Sequence, residues 1–222
     1  MPTALIFGST GLTGKALLNN LLNDERYTKV YLVLRNRPRK VYLKVDEFIF
    51  DFKDFETLAK VNAQHIFCCL GTTLKKAGSK EAQQIIDRDY PIAIAKYASE
   101  IKAEKLICVS SVGANSKSNN FYLKTKGEME EGVKANFANA IFVRPSFLFG
   151  SRNEVRFGEN LGIALFYVIS PFLTGRLSKY AGVHVDKLSK AMTEACFKNT
   201  KSVLHYDDFY NEAGSDFVKH TK

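Results

Sequence analysis

The sequence predicts an α/β chain built on a doubly wound parallel sheet, and two observations carry that prediction. Short, continuous apolar blocks recur along the chain, with segments of helical period between them. Blocks that are apolar throughout, rather than alternating, suit strands covered on both faces, as in a parallel sheet with helices on either side. The first block also ends at Gly8 in a glycine-bearing turn that opens directly into the first helical segment.

Taken in order, the first block is Thr3 to Phe7, followed by a helix from Leu12 to Leu22 with Leu17, Leu18, Leu21 and Leu22 at helical spacing. The second strand is Val30 to Leu34. Phe48 to Phe50, Ile66 to Leu70, Leu106 to Val109 and Ile141 to Val143 are the third to sixth, and helical patterns at 54–61, 80–101 and 120–136 lie between them. After Gly150 the alternation loosens into helices at 159–169 and 185–198, a short strand at 202–206 and a closing helical segment. No linker, low-complexity run or internal repeat interrupts the chain, so it is read as one domain over 1–222 whose small C-terminal portion, 150–222, covers the substrate side of the sheet.

The segment Gly8-Ser9-Thr10-Gly11-Leu12-Thr13-Gly14 is G-x-x-G-x-x-G placed between a strand and a helix. Gly8 allows the tight turn, Gly11 lets the backbone approach a pyrophosphate, and Gly14 lets the helix pack close to the sheet. The amides at the helix start then face an anion, with Ser9, Thr10 and Thr13 adding hydroxyls. A carboxylate after the second strand would select the ribose hydroxyl of NAD. This chain has Arg35 there, with Arg37, Arg39 and Lys40 nearby, which suits a 2′-phosphate and hence NADP(H), although a solvated basic turn is the plain alternative. Asp51, beside Phe52, either accepts from the adenine amine or caps the helix that follows. Leu70-Gly71-Thr72 and Pro145-Ser146-Phe147 follow the fourth and sixth strands and are read as running along the cofactor, with simple strand-to-loop turns as the alternative.

Ser110-Ser111 ends the fifth strand, and Tyr122 and Lys126 follow as Tyr-x-x-x-Lys on a predicted helix, where residues four apart share a face. With the glycine turn upstream, this pattern resembles the atypical short-chain dehydrogenase/reductases, most of all the branch of the HIV Tat-interacting-protein oxidoreductases. The likeness runs through Gly8–Gly14, Cys68–Thr73, Asp87–Tyr90, Ser110–Ala114, Tyr122–Glu128 and Arg144-Pro145, roughly residues 3–150. Ser146 stands where that family usually has Gly. The resemblance implies a Rossmann fold, NADPH binding and a Ser-Tyr-Lys reductase site. Tyr122 would donate its proton to a carbonyl oxygen. Lys126 would supply positive charge and hold the nicotinamide ribose. Ser111, rather than Ser110, would bond the carbonyl oxygen, and Ser110 would contact the cofactor.

Composition narrows the rest. Hydrophobic residues make up 45% and charged residues 25%, as in an ordinary globular protein able to bury a core. Cys68, Cys69, Cys108 and Cys196 lie in apolar segments without disulfide or metal spacing, so they are read as reduced core thiols and no metal is expected. The net charge of +9 suits anionic ligands, but no aromatic-interleaved or zinc pattern points to nucleic acid. The N-terminus has no basic region ahead of its apolar run, which reads as no signal peptide and a cytoplasmic protein. Leu161 to Ile169, the longest apolar stretch, is too short to span a bilayer. It is core, pocket lining, a subunit contact or, with Arg152 and Arg156 nearby, a membrane-surface contact. Two functions follow: an NADP-dependent reductase of a small carbonyl compound, or an NADPH-sensing regulatory protein with a protein partner and little turnover. A monomer and a homodimer are both open.

Overall fold

Alternate residues of strand β1 (Thr3–Phe7) serve opposite faces of the sheet: Ala4 and Ile6 join one apolar cluster, Leu5 and Phe7 another. Both faces must therefore be covered, and they are. The computed structural model describes residues 1–36, 42–150 and 181–212. Its main sheet is seven-stranded and parallel throughout. The first six strands are β1, β2 (Lys29–Leu34), β3 (Val45–Ile49), β4 (His65–Cys68), β5 (Lys105–Val109) and β6 (Ala140–Val143). A short separate pair, β7 (Leu148–Phe149) with β8 (Val183–His184), precedes β9 (Val203–Leu204), which joins the sheet edge beside β6 to give the order β3-β2-β1-β4-β5-β6-β9.

On one face, α1 (Leu12–Asn23), α6 (Val185–Phe197) and α7 (Tyr206–Glu212) bury Leu17, Leu21, Leu188, Met192 and Phe209. On the other, α4 (Tyr90–Glu100) and α5 (Phe121–Asn136) bury Ile94, Ala98, Met129 and Val133. The chain leaves β1 for β2 on one side and returns as β4 on the other. This reversal opens a crevice at the C-terminal ends of β1 and β4, where such sheets bind ligands.

Three expectations need correction. The segment 54–61 is not a helix: Asp54 caps a single 3₁₀ turn, Phe55–Thr57, and Leu58 is already extended. The hydroxyl of Tyr97 holds the following backbone open, donating to the Ala59 carbonyl at 2.8 Å and accepting the Val61 amide at 3.2 Å. The expected helix 80–101 divides into α3 (Lys80–Gln84), a π turn at Ile85–Asp89, and α4. Pro91 lies in the first turn of α4, has no N–H, and crowds the carbonyl four residues back, that of Asp87; the wider turn relieves this. The third strand begins at Val45 rather than Phe48, because an edge strand tolerates the polar Asp46 and Glu47 that an apolar-run criterion passes over. A four-residue helix, α2 (Leu74–Ala77), lies between β4 and α3. The expected helix at 159–169, the apolar stretch 161–169, Arg37, Arg39, Lys40, Arg152 and Arg156 lie outside the described residues. Among the described residues no helix is long and apolar enough to cross a membrane.

Candidate active site

The glycine turn after β1 is shaped by close backbone contact. Gly8 adopts φ +86°, and a Cβ on Gly14 would stand 2.1 Å from the Gly8 carbonyl oxygen, so the start of α1 sits directly on the end of the strand. Gly11 is the N-cap of α1 and has no side chain to cap it, which leaves first-turn amides for a ligand. Gly8, Thr10 and Gly11 line a cavity of about 410 Å³ together with Arg35, Asp51, Phe52, Ile86 and Tyr90. Ser9 does not line it: its side chain is buried, a correction to the sequence reading.

Arg35 is exposed at the end of β2, and no partner for its guanidinium occurs among the described residues. Asp51 does not cap the following turn, which is the work of Asp54; it accepts the Lys53 amide at 3.0 Å. That amide, and next the ion pair with the Lys53 ammonium, hold its carboxyl below the usual aspartate range. Phe52 holds a left-handed backbone conformation, φ +65°, unusual for a bulky residue. Its ring is locked among Phe7, Phe50, Phe55 and Tyr90, packing that sustains the strained backbone at the cavity wall.

A second cavity, of about 390 Å³, shares Cys69, Leu70, Gly71, Thr72 and Lys76 with the first. Leu12 and Thr13 line it at the α1 end, and Ser110, Ser111, Tyr122, Lys126, Pro145 and Ser146 at the other. Thus Tyr122 and Lys126, one turn apart on α5, face one space with the strand-end serines. The glycine turn and the Tyr-x-x-x-Lys motif lie on a single groove. Phe147 lines neither cavity, contrary to expectation; its carbonyl accepts the Val183 amide at 2.8 Å and ties β8 to the loop after β6. Ser146 donates its hydroxyl to the Ala181 carbonyl at 2.5 Å.

The two serines differ. Ser110 donates to Glu130 at 2.5 Å, and Arg144 grips both oxygens of the same carboxylate, at 2.9 and 2.5 Å. This fork raises the Arg144 guanidinium pKa and ties the ends of β5 and β6 to α5. Ser111 makes only a long contact to the Val112 carbonyl, 3.3 Å, which leaves its hydroxyl the freer of the two.

Lys126 is buried, and its ammonium lies 3.1 Å from the Asp87 carboxylate, itself 1% exposed. Burial works against the lysine's charge, but Asp87, then Tyr122, outweigh it and raise the pKa above the usual lysine value. Asp87 comes from the π turn and also accepts the Thr72 amide at 3.4 Å. Neither Asp87 nor Glu130 was singled out as a site residue from the sequence. Pro91 inside a helical pattern, and a Glu four residues after Lys126, were the signals available. Cys69, Lys75 and Lys76 also line the groove unpredicted. All four cysteines are free, and among the described residues no cluster could hold a metal.

A family model described as NAD(P)H-binding matches residues 8–160. The chain belongs to the NAD(P)H-binding family. Within it, the chain is 36% identical over 213 residues to Protein FMP52, mitochondrial, of Candida glabrata, covering 90% of this chain and 89% of that one. It is 34% identical over 170 residues to Protein HTATIP2 of Rattus norvegicus, covering 74% and 70%. These relatives bear out the resemblance to the atypical short-chain dehydrogenase/reductases. The Bordetella bronchiseptica enzyme WbmH, solved in complex with NAD+, superposes with TM-score 0.71 at 14% identity, over 93% of this chain and 75% of that one, and so shares the Rossmann-type fold. The cytoplasmic expectation is overturned: FMP52 relatives aligned over most of the chain are named mitochondrial.

The groove of this NAD(P)H-binding protein fits its cofactor on three counts. Gly14 lets the helix start sit on the end of β1, the start of α1 is uncapped, and Arg35, without a partner among the described residues, lines the same cavity as the glycine turn.

Proposed function

We propose that the protein is an NADP-dependent oxidoreductase that reduces a small carbonyl compound. The observation that carries this reading is the continuity of the groove, which runs from the glycine turn and Arg35 at one end to Tyr122, Lys126 and Ser111 at the other. Bound there, the dinucleotide supplies the hydride. The chain's own residues do the rest. The α1 amides and the turn hydroxyl of Thr10 bind the pyrophosphate, and Arg35 binds the 2′-phosphate through its planar fork. Leu70, Gly71 and Thr72 flank the cofactor midway, and Pro145 and Ser146 edge the nicotinamide. Ser111 orients the carbonyl oxygen, Tyr122 donates its phenolic proton to that oxygen, and Lys126 holds the nicotinamide ribose while lending positive charge beside Tyr122. The relatives' name extends to a proposed mitochondrial location.

The test is NADPH oxidation screened over aldehydes, ketones and quinones, followed by Tyr122→Phe. The variant is expected to keep its NADPH affinity while kcat falls roughly a hundred- to ten-thousandfold. Full activity in Tyr122→Phe removes Tyr122 from the chemistry. One observation favours a regulatory reading, in which NADPH occupancy sets association with a partner: the Lys126 ammonium is engaged by Asp87 rather than left free. On that reading NADPH binds tightly and no carbonyl in the screen is turned over.

A further inference from the structure

Among the described residues, Asp87 is the one carboxylate lining the cavity that holds Tyr122. The other charged groups lining it among the described residues are Lys126, Lys75 and Lys76; the last two are exposed on α2 at the rim, where water screens them. Lys126 and Asp87 are both buried, 3 and 1% exposed, so their charges act on the cavity with little screening. The fold goes to some length to place this carboxylate. The π turn aims it inward, the Thr72 amide donates to it, and a Cβ on Gly71 would come within 3.3 Å of it. An oxidised nicotinamide ring carries a positive charge and a reduced one does not. A lone buried ammonium at this end of the groove would therefore repel the oxidised dinucleotide and leave the reduced one unaffected.

Resting on the cofactor reading above, we propose that Asp87 is a positioning residue that sets the preference for cofactor oxidation state. Paired with Lys126, it offsets the buried ammonium's repulsion of a positively charged nicotinamide ring, so the site accepts the oxidised dinucleotide along with the reduced one. A reversible oxidoreductase needs this property, and it is read by binding alone.

The experiment measures Kd for NADPH and for NADP+ by titration calorimetry in the parent, Asp87→Asn, Lys126→Met and the double variant, with thermal melts confirming that each is folded. Asp87→Asn is expected to raise the ratio Kd(NADP+)/Kd(NADPH) by roughly fivefold or more, as an uncompensated charge demands. The double variant, with neither charge, is expected to return to within about twofold of the parent ratio. A purely structural role would weaken both dinucleotides alike, and that result, or a double variant that keeps the Asp87→Asn ratio, overturns the proposal. Should Asp87→Asn fail to fold, Lys126→Met carries the test: its ratio moves below the parent's, and an unchanged ratio overturns the proposal. A parent protein that binds neither dinucleotide defeats the cofactor reading itself, an outcome distinct from these.

Discussion

Tyr27 and His65 meet beneath the N-terminal edge of the sheet, where the hydroxyl lies 2.8 Å from His65 Nδ1 and both side chains are buried. Burial first, then the positive charges of Lys105 and Arg26, push His65 down to about 4. The imidazole is neutral in the folded protein, whereas in the unfolded chain it takes a proton near 6.5. Between these values the unfolded state binds the extra proton, so stability rises with pH; it is fully present above about 6.5 and lost as the pH falls towards 4. From pH 7 to pH 5 the loss assignable to His65 is roughly 2 kcal/mol. Urea unfolding at the two pH values checks this: His65→Gln should show a correspondingly smaller loss, and an identical loss in both proteins removes His65 as the cause. The same scale shows what the sequence reveals about the site and what it conceals. Gly8, Arg35, Tyr122 and Lys126 are legible because each carries its meaning in spacing along the chain. Asp87 and Glu130 are not, because what matters about them is a partner distant in sequence: Lys126 for one, Ser110 and Arg144 for the other.

At the scale of elements, α5 carries Tyr122 and Lys126, and its position is set by how closely it approaches its neighbours. A Cβ on Gly127 would stand 2.1 Å from the Ser116 backbone nitrogen, whereas one on Gly132 would meet only the end of the Ile92 side chain, at 2.3 Å. Backbone cannot yield as a rotamer can. Gly127→Ala should therefore displace α5, costing more than about 3 kcal/mol and weakening NADPH binding through the shifted Lys126. In Gly132→Ala the repacking of Ile92 costs about 1–3 kcal/mol, offset by about 1 kcal/mol of gained helix propensity, with cofactor affinity unchanged. Thermal melts and NADPH titration of the pair check the contrast, and equal effects would mean that Gly127 does not fix the helix. The elements that the sequence discloses are those whose apolar pattern agrees with their tertiary setting, as in α1, α5 and the central strands. The segment around 54–61 shows the opposite: Phe55 and Leu58 keep a helical spacing, but Tyr97 bonds the backbone beyond them as extended chain. The break before α4 follows from Pro91, a local signal outweighed by the strong apolar period on either side.

For the molecule as a whole, the strand reversal between β1 and β4 places one groove along the carboxyl ends of the sheet, with the excess of positive charge, +9, favouring an anionic occupant. A ligand that binds only the folded state stabilises it by mass action, by about 2.7 kcal/mol at a hundred times its Kd. For a chain of this length that is a rise of roughly 5–10 °C in Tm. On the proposed reading the Arg35 guanidinium bonds the 2′-phosphate that NADPH has and NADH lacks, and a hydrogen-bonded charge pair of this kind contributes about 1.5–3 kcal/mol. At equal concentrations NADH should thus raise Tm by roughly 3–9 °C less than NADPH, or not detectably at the larger end of that range. Arg35→Ala should bring the NADPH shift down to the NADH value and leave the NADH shift where it was, because the ribose hydroxyl makes no use of the guanidinium. If the parent protein instead responds equally to both dinucleotides, Arg35 is a solvated turn residue and the preference for NADP falls, while the glycine turn and the groove stand.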